Sequence, residues 1–445
     1  MVKLFKLHKI SGLSLGAVLF ILGISGIFLD HDRWSFLYTI TLDTSTKSMR
    51  DADKKLFDAY WIDPKDDMHR IVGGKRGIYE TFDGGISFEN ISTLQCQAIR
   101  SDKEGVYAAT SNGIYILKGS VWNLFALDGK YVNAISLSDK SIFTSVDKKE
   151  LFLIERDNAK ILDRSSVSID PKELQEDIKL SRFVRDLHYG RGLLEGDMSL
   201  LINDYGAVLL SFLAISGYMI WYLISKKTAP KTSRKLIKFH SNIFSIVSLI
   251  PLIILAVTGI FLDHSNALAR FMKSTTIPHA VLPPVYSTLK SDIWSLDHNG
   301  SIYRIGNRYG VYKSKDLKEW KLESRGFAFR MIRKKDILYV SGMGAPNRIY
   351  DGTWEILKNS PHMFRDVLSL NGSIVYFSTH KLVLNMPVFK DATLYSFMMS
   401  IHDGTFFAPW WIWINDIAAM ALLFLGFSGT LRWYHRRKKY KKSTL

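Results

Sequence analysis

The chain holds one cysteine, Cys96, in 445 residues. That excludes an internal disulfide, a cysteine-built zinc or iron–sulfur site and a Cys-x-x-Cys-His cofactor attachment. Metal chemistry falls to histidine or carboxylate. No Gly-x-Gly-x-x-Gly fingerprint is present, so no dinucleotide or flavin domain is legible. Hydrolase chemistry lacks a visible basis, with no His-Glu-x-x-His and no nucleophile elbow between a strand and a helix. What is abundant is long apolar sequence and positive charge. The composition is 47% hydrophobic and the net charge is +17, so the distribution of the basic residues decides between nucleic acid and membrane.

A helix needs about 20 apolar residues to cross the hydrocarbon core. Three uncharged windows supply them: Ile10 to Leu29, Tyr205 to Ile224 and Ser241 to Leu262. A fourth, Ile417 to Leu431, is shorter, and the aromatic FFAPWWIWIND before it extends it through the interface. Basic residues flank the cytosolic ends by the positive-inside rule: Lys3, Lys6 and Lys9; Lys226, Lys227, Lys231, Arg234, Lys235 and Lys238; and Arg436, Arg437, Lys438, Lys439, Lys441 and Lys442. Both termini are predicted cytosolic and the two long insertions outside. The charge therefore reads as topology, and no nucleic-acid partner is expected. No small-residue cleavage site follows span one, so it is read as retained.

The halves repeat. LHKISGLSLGAVLFILGISGIFLDH aligns with FHSNIFSIVSLIPLIILAVTGIFLDH, and LHYG with INDYGAVLLSFLAISGYMIWY aligns with IHDG and INDIAAMALLFLGFSGTLRWY. Spans one and three correspond, as do two and four. The predicted fold class is membrane α plus all-β: a four-helix transmembrane bundle from an internal duplication, with an outer β-propeller-like domain formed by two insertions. Its segments are span one (1–31), the first β part of about three blades (32–186), span two (187–226), a basic cytosolic loop (227–239), span three (240–264), the second β part of about three blades (265–401), span four (402–433) and a basic tail (434–445). Small residues at matched depths, Ser25 and Gly26, Ser216 and Gly217, Thr258 and Gly259, Ser428 and Gly429, permit close approach of helices or of a flat cofactor.

Both insertions alternate in short strands separated by turn residues. A unit recurs around Tyr79, Tyr115, Tyr312 and Tyr350, spaced 36 or 38 residues within each half, the spacing of propeller blades. Weaker units fall near Phe152 and Leu382. The first resembles the Asp-box hairpin of sialidase-like and photosystem-assembly propellers, with Thr81, Asp83, Gly85 and Phe88 in the motif positions. Ser314, Asp316 and Trp320 form a shorter copy. In those families the aspartate secures a turn, so Asp83 and Asp316 are read as structural. Six or seven blades in one ring, or two separate β domains, remain open at this point.

Six of the 12 histidines lie at span ends in matched pairs: His8 with His240, His31 with His264, and His188 with His402. The first pair belongs to the cytosolic level and the other four to the outer level, roughly 30 Å away. Ionisable side chains at membrane depth are costly and face the bundle interior, and imidazole is the common axial ligand of haem iron. Helix capping or headgroup anchoring is the plainer account of a single terminal histidine, and three matched pairs bring the two readings level. Asp30 and Asp263 are candidate acceptors orienting the adjacent imidazoles, or interfacial caps. Asn203 with Asp204, and Asn415 with Asp416, are read as helix caps, and His435 as a solvated tail residue.

The pattern LHKISG, span, FLDH, with a later LHYGR before a span ending SGYMIWY, resembles the PepSY-associated transmembrane family, which includes siderophore-linked iron reductases of bacterial inner membranes. The resemblance covers the spans and their flanks. It departs from the family in carrying propeller-like insertions where a PepSY domain is usual. It implies haem b, two per chain, held by His8, His31, His188, His240, His264 and His402. It further implies a bacterial inner-membrane location with periplasmic β domains, a quinol or protein electron donor, and a ferric chelate or periplasmic protein as acceptor. Two functions are carried forward: a transmembrane haem electron carrier acting as a ferric or ferrisiderophore reductase, and a non-enzymatic membrane anchor presenting a propeller to a protein partner.

Overall fold

The computed structural model describes residues 2–43, 45–379 and 383–443, with side chains from Lys439 onward excluded. The expected unit at Leu382 falls outside the described residues. The chain divides into two compact units, one made of 1–49, 177–283 and 393–445, the other of 50–176 and 284–392.

The first unit is helical. Helix α1 (Val2–Asp30) is followed by α2 (Leu180–His188), α3 (Asp197–Ser225), α4 (Pro230–His240), α5 (Ile243–Val247), α6 (Leu249–Asp263), α7 (Leu394–His402) and α8 (Ile412–Ser443). Three helical stretches are long and apolar enough to cross a membrane, at Lys3–Asp30, Asp197–Ser225 and Pro409–Lys438. The expected third span is not one straight helix. Pro230–Val247 and Leu249–Asp263 meet at 70°. Pro251 offers no backbone N–H to the preceding turn and its ring crowds the carbonyl four residues back. The serines beside the break compete for backbone groups, Ser248 Oγ donating to the Ser245 carbonyl at 2.9 Å.

Small residues set the helix spacing. A Cβ added at Gly23 would lie 2.7 Å from Ser211 Oγ and 3.1 Å from the Ala207 carbonyl oxygen, so α1 meets α3 backbone to backbone. Leu19, Leu210, Leu252 and Ala418 form the buried apolar centre of this unit.

The second unit contains six antiparallel sheets in sequence order. Their innermost strands are β1 (Phe57–Asp63), β2 (Cys96–Ser101), β3 (Val132–Leu137), β4 (Ser295–His298), β5 (Arg330–Lys334) and β6 (Asp366–Leu370). The first five sheets have four strands each, and the sixth has two among the described residues. Each inner strand packs on the next and β6 returns to β1, closing a ring. The recurring tyrosines share one structural position: Tyr79, Tyr115, Tyr312 and Tyr350 all sit on the third strand of a sheet, as does Phe152. The ring closes through apolar packing of Phe57, Tyr60 and Tyr79 against Leu368, Phe377 and Leu384. Arg76 adds a polar clasp, reaching Asp53 at 3.0 Å and Asp391 at 2.9 Å.

The Asp-box turns are built as expected. Asp83 accepts from the backbone of Ile86 and Ser87 and from the hydroxyls of Thr81 and Ser87, and these bonds hold its carboxyl far below the usual range. Asp316 repeats the arrangement with Ser314, Lys318 and Glu319. Cys96 is fully buried, and burial pushes its thiol up and out of reactive range.

Candidate functional site

Four of the six span-end histidines share one hydrogen-bonding pattern. Nδ1 of His8 lies 2.7 Å from Ser428 Oγ, and Nδ1 of His240 lies 2.7 Å from Ser216 Oγ. Nδ1 of His402 lies 2.9 Å from Ser25 Oγ, and Nδ1 of His188 lies 3.0 Å from Thr258 Oγ1. Each hydroxyl already gives its only proton to a carbonyl of its own helix. Ser428 donates to Phe424 at 2.8 Å, Ser216 to Leu213 at 3.2 Å, Ser25 to Ile21 at 2.6 Å and Thr258 to Ile254 at 2.6 Å. With those protons on the carbonyls, each hydroxyl accepts and Nδ1 carries the hydrogen. That arrangement is the tautomer in which Nε2 keeps its lone pair, the form that ligates a metal. No hydrogen bond reaches any of these four Nε2 atoms among the described residues.

The residue after each hydroxyl is a glycine. Cβ atoms added at Gly429, Gly217, Gly26 and Gly259 would lie 3.8, 3.7, 3.6 and 3.6 Å from Cε1 of His8, His240, His402 and His188 in turn. The Ser-Gly or Thr-Gly step thus supplies an acceptor for one edge of the imidazole and a flat surface beside another.

The four rings fall into two places. His8 and His240 line one cavity of ≈ 330 Å³, with Gly12, Gly16, Gly217, Gly426 and Gly429 among its walls and Arg432 at its margin. His188 and His402 have ring centroids 6.4 Å apart at an interplanar angle of 64°. A metal–imidazole nitrogen bond is about 2.0 Å long, so two imidazoles sharing one ion have centroids roughly 6 Å apart. From His8 to Ser25, α1 rises roughly 26 Å, at about 1.5 Å per residue.

His31 and His264 differ. Their Nε2 atoms are engaged by carboxylates, with Asp204 at 3.0 Å and Asp416 at 2.7 Å. His31 also stacks on Trp34, with centroids 4.3 Å apart and planes 4° from parallel. Of the two readings of Asp30 and Asp263, orientation of these imidazoles is not borne out, since the carboxylates that engage them are Asp204 and Asp416. Asn203, Asp204, Asn415 and Asp416 are not caps either. They lie within α3 and α8, where Asn203 donates to the carbonyl of His188 at 2.9 Å and Asn415 to that of His402 at 3.0 Å. Oδ1 of Asp204 and of Asp416 is buried without a hydrogen bond among the described residues. The four hydroxyls were legible only as small residues. Their signal is a Ser or Thr before a Gly at the depth of a histidine on another span. His435 is exposed on the tail.

Among the described residues no group of three or more His, Cys, Asp and Glu side chains is arranged to hold a metal ion. Two imidazoles beside glycine surfaces suit a metal that brings its own equatorial ligands, which is the case for haem iron.

Such a helical unit belongs to the class of multi-span membrane proteins with imidazoles paired between helices. The chain belongs to the PepSY-associated TM family, whose model matches residues 134–436, about two thirds of its length. The search of curated proteins finds no match. Among solved structures, an extracellular domain of the putative one component system BT4673 from B. thetaiotaomicron has 8% identity and a TM-score of 0.34, covering 72% of this chain and 30% of that one. BamB from Moraxella catarrhalis has 10% identity and a TM-score of 0.30, covering 67% and 57%. YCF48 from Cyanidioschyzon merolae has 9% identity and a TM-score of 0.31, covering 73% and 71%. The chain thus spans about three-tenths of the first of these, and scores this low establish no common fold.

Proposed function

We propose that this protein is a transmembrane b-type haem electron carrier of a bacterial inner membrane, with two haems, reducing a ferric chelate on the outer side. The observation that carries the reading is the set of four imidazoles held as Nδ1–H tautomers with free Nε2 atoms. His8 with His240 would hold one haem and His188 with His402 the other. Bound haem supplies one-electron transfer between the two membrane levels. The hydroxyls of Ser428, Ser216, Ser25 and Thr258 hold each ligand in its tautomer and raise its basicity. Asn203 and Asn415 anchor the backbone of His188 and His402, and Arg432 offers a cation to a cofactor carboxylate at the cytosolic level. His31 and His264, with Nε2 engaged, position the outer ends of the spans and are not axial ligands in this reading.

The internal duplication belongs to the same proposal. The bent pair is taken as one span, so that four spans form a bundle in which each half repeats the other, with both termini cytosolic and the β ring periplasmic. A quinol or a separate protein supplies the electrons.

The test is a dithionite-reduced minus air-oxidised spectrum of the full chain in detergent, with a pyridine haemochrome count. Two haems per chain are expected in the wild type and one in His240→Ala or His402→Ala, while His31→Ala and His264→Ala retain two. A featureless spectrum from folded protein made with ample haem overturns the proposal.

A further inference from the structure

One sector of the β ring gathers more positive than negative charge. Arg100 on β2, Arg330 and Lys334 on β5, and Arg365 before β6 face only Asp58 on β1 and Asp366 on β6. Arg330 and Arg365 both bond to Asp58, the former at 3.1 Å, and Arg100 bonds to Asp366 at 2.8 Å. Asp58, Arg330 and Asp366 are each at most 9% exposed. Nε of Arg330 is buried without a hydrogen bond, and Lys334 makes no hydrogen bond or ion pair among the described residues. Burial lowers the pKa of Lys334, and Arg100 adds to the shift against the pull of Asp366. Uncompensated charge in a partly buried site is costly without a counter-ion.

A cavity of ≈ 680 Å³ opens at this cluster, bordered by Tyr60, Trp61, Arg100, Lys334, Asp366 and Asn371. Neighbouring charges are already engaged. Arg333 is bound by Asp297 at 2.6 Å, and the rim carboxylates Asp66 and Asp67 accept from the backbone of Met68 and Asn371. Lys65 at the rim is exposed. Inside the cavity the Lys334 ammonium makes no bond among the described residues, and beyond it Nε of Arg330 lacks an acceptor.

We infer that this cavity is a binding site for a small polycarboxylate, taken free or as its ferric chelate, with Lys334 and Arg100 as the anion-contacting residues. Low-dielectric walls concentrate the field of the cluster at the opening, so a compact ligand with several carboxylates gains more than a single-charged ion. The site is independent of the histidines.

The experiment is isothermal titration of the full chain in detergent at constant ionic strength, with citrate, ferric citrate, phosphate and chloride as probes. One citrate per chain is expected, weakened tenfold or more in Lys334→Gln and kept within threefold in Lys334→Arg. Lys318→Gln, a remote surface variant, binds as the wild type. Tighter binding of ferric citrate identifies the chelate as cargo, and equal or weaker binding identifies the metal-free acid; either ordering supports the site. Wild-type affinity in Lys334→Gln, chloride or phosphate binding as tightly as citrate, or no citrate binding by folded protein overturns it. The double variant His188→Ala, His402→Ala retains citrate binding, so loss of haem and loss of this site are read separately.

Discussion

Ser216→Ala is the sharpest perturbation of the imidazole geometry. It removes the acceptor of the His240 Nδ1–H, 2.7 Å away, and leaves the ring and Gly217 in place. A hydrogen bond of this kind contributes about 0.5–1.5 kcal/mol net, and losing the partner of a metal-ligating histidine costs about 10–100-fold in affinity. The bond also makes the imidazole a stronger donor, which favours the oxidised metal. A differential effect of about 1 kcal/mol corresponds to roughly 40 mV for one electron. Two potentials are expected in a redox titration of the wild type. In Ser216→Ala only one of them rises, by tens of millivolts, with partial loss of haem on dilution. Ser428→Ala, one helix away, moves that same component, whereas Ser25→Ala and Thr258→Val move the other. Ser216→Thr restores the wild-type value. If all four hydroxyl variants leave both potentials and the haem count unchanged, the tautomer reasoning is wrong.

Arg76→Met removes the buried clasp between Asp53 and Asp391. Because Asp53 stays buried once the Arg76 guanidinium is gone, the β ring loses about 3–5 kcal/mol, read as a lower denaturant midpoint for that unit. Gly23→Leu drives side-chain atoms into Ser211 and Ala207 where α1 meets α3. Overpacking of about 1–3 kcal/mol is expected to appear as faster thermal inactivation in detergent. His298, buried against Tyr303 with both ring nitrogens unpaired among the described residues, has its pKa lowered by burial. Its native ring stays neutral while the unfolded ring takes a proton as pH falls through its ordinary value of 6.5, so the unfolded chain binds more protons and stability drops on the acid side. His298→Phe therefore shows a smaller fall in unfolding temperature between about pH 7.5 and about pH 5.5 than the wild type, and an identical fall refutes the assignment.

The long apolar runs were legible because a span must be uniformly apolar, and hydropathy survives whatever the helix then does. The bend was not. Pro251 stood in view, but a proline in a span is tolerated when neighbouring groups take up the freed carbonyl, and only the packing around Ser245 and Ser248 decides. The blades were legible through the tyrosines, which repeat because each stands on the third strand of its sheet. The sixth sheet gave only a weak unit, with two described strands and no Asp box. Asp204 and Asp416 were misread as caps because the residue types that cap helices are those that orient imidazoles. The distinction lies in whether a helix begins there, and α3 begins seven residues earlier at Asp197.

The paired histidines carry the remaining lesson, because their meaning depends on what reaches each nitrogen. All six looked alike as sequence, each beside a span. A carboxylate on Nε2 and a hydroxyl on Nδ1 are opposite instructions: the first occupies the ligating atom, the second leaves it free. His31 and His264 received the carboxylate, and the other four received the hydroxyl. The same choice was made in both halves of the chain, with Ser25 matched by Thr258 and Ser216 by Ser428. Arg432 departs from the match, standing where the other half has Ile220. If the proposed bundle holds two haems in similar ligand sets, that single cation is the strongest local difference between the halves, and it favours the more negative, reduced state at its own level. Arg432→Ile should therefore lower the potential of the component that Ser216→Ala raises and leave the other unmoved. An equal shift of both, or none, would remove Arg432 from the site.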